Sequence, residues 1–88
     1  MGAHKRLKKR FEATDELRVW RFVADYSRER GYAPSLNEIG KAVFVSRGMA
    51  VFMLEILHAW GVLERIPKTP RAIKILIWPE EVFDDEKL

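Results

Sequence analysis

The first stretch of hydrophobic residues with helical spacing lies between Thr14 and Gly31. Thr14 is well suited to cap the start of a helix, and Gly31 is well suited to end one in a left-handed conformation. The apolar positions between them are Leu17, Trp20, Val23 and Ala24. They recur every three or four residues, so the pattern predicts a helix with one buried face.

Two further helices are predicted immediately downstream. Pro34 keeps the preceding residue out of helical geometry, and Ser35 with Glu38 forms an S-x-x-E capping box at the start of a short second helix. Phe44-Val45 is predicted to be a short turn, and Ser46 is predicted to cap a third helix that ends near Gly61. The core face of the third helix should consist of Ala50, Met53, Leu54 and Leu57.

After Gly61 the spacing of apolar residues changes from helical to alternating. The segments VLERI and AIKILIW are rich in β-branched residues and predict two strands, separated by the basic, proline-rich loop 67–71. Three helices followed by a β-hairpin predict a mainly α fold with a small β-hairpin, a three-helix winged helix-turn-helix.

The charged residues divide the chain into a basic head, a central domain and an acidic tail. The chain has 16 Lys and Arg residues and 13 Asp and Glu residues, and the basic residues are concentrated near the N-terminus. We therefore predict a basic N-terminal arm at 1–13, the winged domain at 14–78 and an acidic tail at 79–88. The head could add a helical turn through Leu7 and Phe11, whereas Val82 and Phe83 are expected to leave the tail at most loosely packed.

Several classes of function are disfavoured by composition. The chain has no cysteine and no apolar run of the roughly 18 residues that a membrane helix requires. His4 and His58 are too isolated to predict a metal site or a catalytic triad, and no pair of carboxylates suggests acid–base chemistry. The sequence predicts a cytoplasmic protein that is not an enzyme and needs no cofactor or metal.

Residues 14–77 resemble the N-terminal DNA-binding domain of the LexA repressor family. The matching landmarks are the Gly31-x-x-Pro34-Ser35-x-x-Glu38-Ile39 entry to the second helix, the Leu54-x-x-Leu57 pair and the segment 61–64. The resemblance implies binding to an operator in double-stranded DNA, usually as a dimer on a palindrome. The family's self-cleaving domain, with its Ser-Lys dyad, is expected to be absent from this chain.

The third helix departs from the family in the positions where its members contact bases. These positions hold Ser46, Gly48, Met49, Val51 and Phe52, of which only Ser46 has a hydrogen-bonding side chain. The turn before Ser46 also aligns one residue shorter than in the family. The family's operator preference is therefore not transferred to this sequence.

Candidate DNA-binding residues come from the second and third predicted helices and from the loop of the hairpin. Ser35, Lys41 and Arg47 could contact phosphates, and Arg47 could instead reach a guanine edge. Lys68 and Arg71 could neutralise phosphates from the wing.

Three interpretations of Val51 and Phe52 remain open. These side chains could meet thymine methyl groups or wedge at a base step, or they could form a protein-docking patch with Met49 and Ile56. Alternatively, the helix could be rotated so that Phe52 is part of the core.

The sequence favours a sequence-specific DNA-binding domain of a transcriptional regulator. The alternative is a winged-helix protein-interaction module that uses the apolar surface of the third helix. The sequence does not specify the operator, the regulated process, or repression as opposed to activation.

Overall fold

The computed structural model describes residues 2–83, with side chains from His4 onward, and confirms a mainly α winged helix-turn-helix. The elements in chain order are α1 (Gly2–Phe11), α2 (Asp15–Arg30), α3 (Leu36–Val43), α4 (Arg47–Ala59), β1 (Leu63–Arg65), β2 (Ile73–Ile75) and α5 (Pro79–Phe83). The three predicted helices correspond to α2, α3 and α4.

Local capping interactions fix the ends of α2 and the start of α3 as the sequence predicts. The Thr14 hydroxyl accepts a hydrogen bond from the Leu17 N–H at 3.2 Å, and Gly31 ends α2 with φ 81°. At α3 the Ser35 hydroxyl accepts from the Glu38 N–H at 3.1 Å, while the Glu38 carboxylate accepts from the Ser35 N–H at 2.7 Å. Each bond satisfies an N–H that the helix itself leaves unpaired.

The turn between α3 and α4 folds tightly over Gly40. Phe44 ends α3 in a left-handed conformation with φ 61°, and the Val45 N–H donates to the Gly40 carbonyl at 2.9 Å. A Cβ at residue 40 would lie 2.7 Å from the Val45 carbonyl oxygen. Glycine is therefore required here by close packing, and the turn holds α4 at a fixed angle to α3.

The core is centred on α2, which packs against α3, α4 and α5. Trp20 is fully buried, and its indole N–H donates to the Ile77 carbonyl at 2.9 Å. The predicted core face of α4 is also buried, with Ala50, Leu54 and Leu57 inaccessible to solvent. These contacts leave the opposite face of α4 directed outward.

The N-terminal head forms a packed helix that is longer than the single turn through Leu7 and Phe11 that the sequence suggested. Residues 2–11 form α1, in which Leu7 and Phe11 are buried. The Phe11 ring makes edge contacts with Trp20 and Trp60, with centroid distances of 5.8 and 5.9 Å. Burial of these apolar side chains stabilises a helix that local propensity alone predicted only weakly.

The first part of the C-terminal tail is likewise packed rather than loose. Residues 79–83 form α5, and both Val82 and Phe83 are buried, with the Phe83 ring against Trp20. Glu80 pairs with Arg28 of α2, which anchors the helix from outside. The core thus extends beyond residues 14–78 at both ends, while residues 84–88 of the predicted tail at 79–88 lie outside the described residues.

The wing is a short antiparallel hairpin. Leu63 pairs with Ile75 and Arg65 with Ile73, so each strand is only three residues long and the connecting loop is longer than predicted. Within that loop Lys68 and Arg71 both have positive φ, of 64° and 58°. The loop curls back toward the start of α3 and does not extend the ladder.

Between residues 2 and 83, no single helix is long and apolar enough to span a membrane. Only α3 and α4 taken together reach that length and composition, and they are bent by 98° relative to each other.

Candidate nucleic-acid interface

The outward surface of α4 is apolar at its N-terminal half. Phe52 is 58% exposed and Met49 is 43% exposed, while Val51 is partly buried beside the wing. Phe52 lies opposite Ala50, Leu54 and Leu57 on the helix, so it is not part of the core. The interpretation with a rotated helix is therefore wrong, and the DNA-contact and protein-docking interpretations remain.

A groove of about 370 Å³ runs between the start of α3, the first turns of α4 and the wing loop. Its lining includes Ser35, Asn37, Arg47, Val51, Lys68 and Arg71. All of these residues except Asn37 are predicted site residues, so the structure brings together five predicted residues that are distant in sequence. The N-terminus of α3 opens into this groove and contributes the partial positive charge of a helix start.

Cations without a partner surround this surface. Lys41, Arg47 and Lys68 are exposed, and the side chain of each lacks a hydrogen bond or ion pair with any other residue in 2–83. Arg47 faces the groove with the wing, and Lys41 lies with Arg47 along a second depression beside the α3–α4 turn. Their charges are available to an anionic ligand without first breaking an internal contact.

Arg71 differs from these cations because its charge is already matched. One guanidinium nitrogen, Nη1, donates to Glu38 Oε1 at 2.9 Å, to the Ala33 carbonyl at 3.0 Å and to the Tyr26 hydroxyl at 3.3 Å. The guanidinium also lies over the Tyr32 ring, 5.1 Å from its centroid. Arg71 therefore connects the wing loop to α2 and to the start of α3.

The carboxylate of Glu38 is the centre of this connection. Hydrogen bonding from the Ser35 backbone N–H, followed by Arg71 and Tyr26, lowers the pKa of Glu38 from 4.5 to about 2. Each of these donors favours the charged form. Glu38 is thus ionised at neutral pH and holds both the helix cap and the wing.

The hydroxyls of Ser35 and Ser46 both cap helices. Ser46 Oγ accepts from the Met49 N–H at 3.1 Å, in the same way that Ser35 serves α3. A hydroxyl that accepts in a cap keeps its own hydrogen free to donate. Each serine can therefore cap its helix and donate to a phosphate oxygen at the same time.

Residues 13–72 match the model of the LexA DNA binding domain family. The match covers more than half of the chain. The chain belongs to the LexA DNA-binding domain family.

LexA repressors from several bacteria are similar to the same part of the chain. The repressor of Bacillus licheniformis is 38% identical over 68 residues, which are 76% of this chain and 33% of the repressor. That of Thermobifida fusca is 47% identical over 60 residues, 67% of this chain and 24% of the repressor. That of Acidothermus cellulolyticus is 41% identical over 61 residues, 68% of this chain and 22% of the repressor. The chain therefore spans between 22% and 33% of the length of these relatives.

The groove of this LexA-family domain contains residues that sequence reasoning missed. Asn37, Arg65 and Thr69 also line it. Asn37 could have been recognised from its place inside the capping box, which puts it in the first turn of α3. Arg65 could not, because its guanidinium is turned to Glu55 of α4 at 3.0 Å and leaves its side chain only 12% exposed.

His58 has a structural role in the LexA-family domain. His58 accepts a hydrogen bond at Nδ1 from the Arg65 backbone N–H at 3.3 Å, which joins the end of α4 to β1. Across residues 2–83, no group of three or more His, Asp or Glu side chains could hold a metal ion.

Proposed function

We propose that this chain is the sequence-specific, double-stranded DNA-binding part of a transcriptional regulator, and that it binds without catalysis. The observation that carries the proposal is the outward N-terminal half of α4, flanked by the unpaired cations Lys41, Arg47 and Lys68. Membership of the LexA DNA-binding domain family supports the same function. We also propose that this chain acts in the cytoplasm, where it would meet DNA.

The shape of the surface fits a duplex. An α-helix fits a major groove about 12 Å wide, and the unpaired N–H groups at a helix start attract phosphate. With α4 in the groove, Lys41 in one depression and Ser35 with Lys68 in the other would meet phosphates. Arg47, at the first position of α4, lies between the two and can reach either a phosphate or a guanine edge.

The cations set the expected salt dependence. Each neutralised phosphate contributes a slope of about −0.9 in log K against log salt. Three contacts give about −2.7, so affinity should fall about 40-fold between 50 and 200 mM salt. An apolar protein-docking surface would show almost no such dependence.

The proposal is tested by selecting bound duplexes from a random pool at near-physiological salt and measuring the affinity of the recovered duplex against salt. Lys68→Ala should reduce the slope by about 0.9. The matched control is Lys74→Ala, since Lys74 is also exposed but lies on β2 outside the groove. Failure to recover a preferred sequence, together with a slope near zero, would overturn the proposal.

We further propose that the domain binds as a homodimer to a palindromic site. Helix-turn-helix dimers place their reading helices about one turn of DNA apart, so a recovered sequence should contain two inverted half-sites. Sedimentation of the complex gives the stoichiometry directly. A single half-site bound by one chain at full affinity would exclude the dimer.

A protein partner is the second candidate for the same surface. The exposure of Phe52 and Met49, and of Phe44 at 88%, favours this possibility because large exposed apolar groups often mark protein contacts. In that case Met49, Val51, Phe52 and Ile56 would form the docking face. A homodimer built on that face would bury α4 and would therefore compete with duplex binding. This competition distinguishes the protein-docking function from the DNA-binding function.

A further inference from the structure

Gly48 is the only position of α4 between Arg47 and Ala59 without a side chain, and no internal contact explains it. A Cβ at residue 48 would have no neighbour within 4 Å among the other residues, and the backbone there is ordinary helix. Glycine is one of the least favourable residues in a helix. At Gly40, by contrast, the nearby Val45 carbonyl explains the glycine. Gly48 lies in the first turn of α4, where glycine costs less than in a helix interior, but it does not favour the helix and no packing within the described residues requires it.

The gap at Gly48 lies on the outward face of α4, directly before Val51 and Phe52. Residues 48 and 52 are one helical turn apart, so the open space lies next to the exposed Phe52 ring. We call Gly48, Val51 and Phe52 the reading face. A missing side chain beside two apolar ones lets the helix backbone approach a ligand closely while it presents hydrocarbon to that ligand.

The major groove offers one hydrocarbon group to such a surface. Only thymine carries a methyl group there, and the other base edges present hydrogen-bond donors and acceptors. None of the side chains in the reading face can pair with those donors and acceptors. We propose that the reading face recognises thymine methyl groups at close range, with Gly48 providing the clearance.

The dimensions of α4 agree with this proposal. Residues 48 to 52 extend about 6 Å along the helix axis, which corresponds to roughly two base steps at 3.4 Å each. The reading face therefore covers a short run of bases, and Arg47 lies at its edge. The preferred half-site should contain adjacent thymines, with a guanine or a phosphate contact beside them.

The charges around the reading face favour DNA over an apolar protein surface as its occupant. Arg47 directly precedes Gly48, Lys68 lines a groove with Val51, and Lys41 lies beside Arg47; none of these three side chains has a partner within residues 2–83. A polyanion that bears methyl groups complements both the cations and the apolar side chains, whereas an apolar protein surface would leave the cations unmatched. The inference rests on the proposed function and adds the chemistry of the bases that are read.

The test uses the duplex recovered from the random pool and copies of it in which single thymines are replaced by deoxyuridine. This replacement removes only the methyl group. Each methyl that is buried against the reading face should contribute about fourfold in affinity. Thymines outside the half-sites serve as internal controls, and their replacement should have no effect.

Two variants separate direct contact from a change in DNA shape. In Phe52→Ala, the deoxyuridine copy that lacks the methyl group in contact with Phe52 should bind as well as the thymine duplex, whereas a methyl group in contact with Val51 should keep its effect. Leu76→Ala is the matched control, since Leu76 is 43% exposed but lies after β2, away from α4, and the thymine preference should persist in this variant. Gly48→Ala should bind the thymine duplex at least tenfold more weakly while its thermal midpoint rises. Circular dichroism verifies the fold of each variant.

The outcomes separate the two claims. Failure to recover any preferred duplex would overturn the proposed function and this proposal with it. A recovered duplex that tolerates deoxyuridine at every position overturns the methyl reading and leaves the DNA-binding function intact. Equal methyl effects in the wild type and in Phe52→Ala also overturn it.

Discussion

Replacing Glu38 and Arg71 together by glutamine is expected to weaken duplex binding without changing its dependence on salt. Arg71 lies in the wing, where a cation would ordinarily contact phosphate. Its Nη1 nitrogen is instead bound to Glu38, to Tyr26 and to the Ala33 carbonyl. The double substitution removes one positive and one negative charge, so the net charge of the surface is unchanged.

The expected magnitudes follow from which charges are already paired. Lys68 has no partner in the described part of the chain, so Lys68→Ala should reduce the slope of log K against log salt by about 0.9. Between 50 and 200 mM salt, that change alters the ratio of wild-type to variant affinity about 3.5-fold. For the double variant this ratio should stay constant. Its affinity should fall about three- to tenfold at every salt concentration, because a wing that is no longer held must be ordered on binding.

Fluorescence anisotropy titrations of the selected duplex at four salt concentrations measure both quantities. Glutamine at position 38 still suits the capping box, so α3 should remain intact. A slope reduced by about 0.9 in the double variant would show that Arg71 contacts a phosphate itself, and would refute its assignment as a positioning residue. An unchanged affinity would refute the role of this connection in holding the wing.

Three further predictions concern stability and are checked by urea unfolding. Because the pKa of Glu38 is lowered to about 2, its charge adds stability above its usual pKa of 4.5 and loses that contribution as pH falls toward 2; Glu38→Gln should flatten this part of the pH profile. Gly40→Ala should lower the free energy of unfolding by about 1–3 kcal/mol, because the new Cβ meets the Val45 carbonyl, whereas Gly48→Ala should raise it by up to about 1 kcal/mol; effects of the same sign would contradict the packing argument. Phe11→Ala should lower it by about 3–5 kcal/mol, and a loss below 1 kcal/mol would mean that α1 is not part of the core.

The boundaries of α2, α3 and α4 could be predicted because their signals are local. Thr14, Ser35 and Ser46 each cap the helix that follows within three residues, and Gly31 ends α2 through its own conformation. In the sequence, neither α1 nor α5 is preceded by Ser, Thr, Asn or Asp; the start of α5 is instead held by the Trp78 N–H, which donates to the Glu81 carboxylate at 2.8 Å. Their formation depends on Phe11 and Phe83 reaching Trp20 from opposite ends of the chain, and no short segment of sequence contains that information.

In the candidate site, too, only features that depend on neighbouring residues could be predicted from the sequence. The apolar and exposed character of Phe52 follows from its position opposite Ala50 and Leu54 on one helix. The ion pair of Arg71 does not follow from local sequence, because its partner Glu38 is 33 residues away. Charge alone therefore suggested a phosphate contact for Arg71, and only the fold shows that this charge is paired internally.

The outward residues of α4 contribute little to the stability of the domain, so their residue types are informative about a ligand. Core residues such as Leu54 are apolar because burial requires it, so their type says nothing about a ligand. Phe52 is mostly exposed, and Gly48 has open space around it, so neither residue type is required by the fold. The Phe52 ring gains only partial burial, and the glycine does not stabilise the helix. The proposed contact with thymine methyl groups would account for both residues, because it is a close approach to hydrocarbon that lies within a ring of anionic charge.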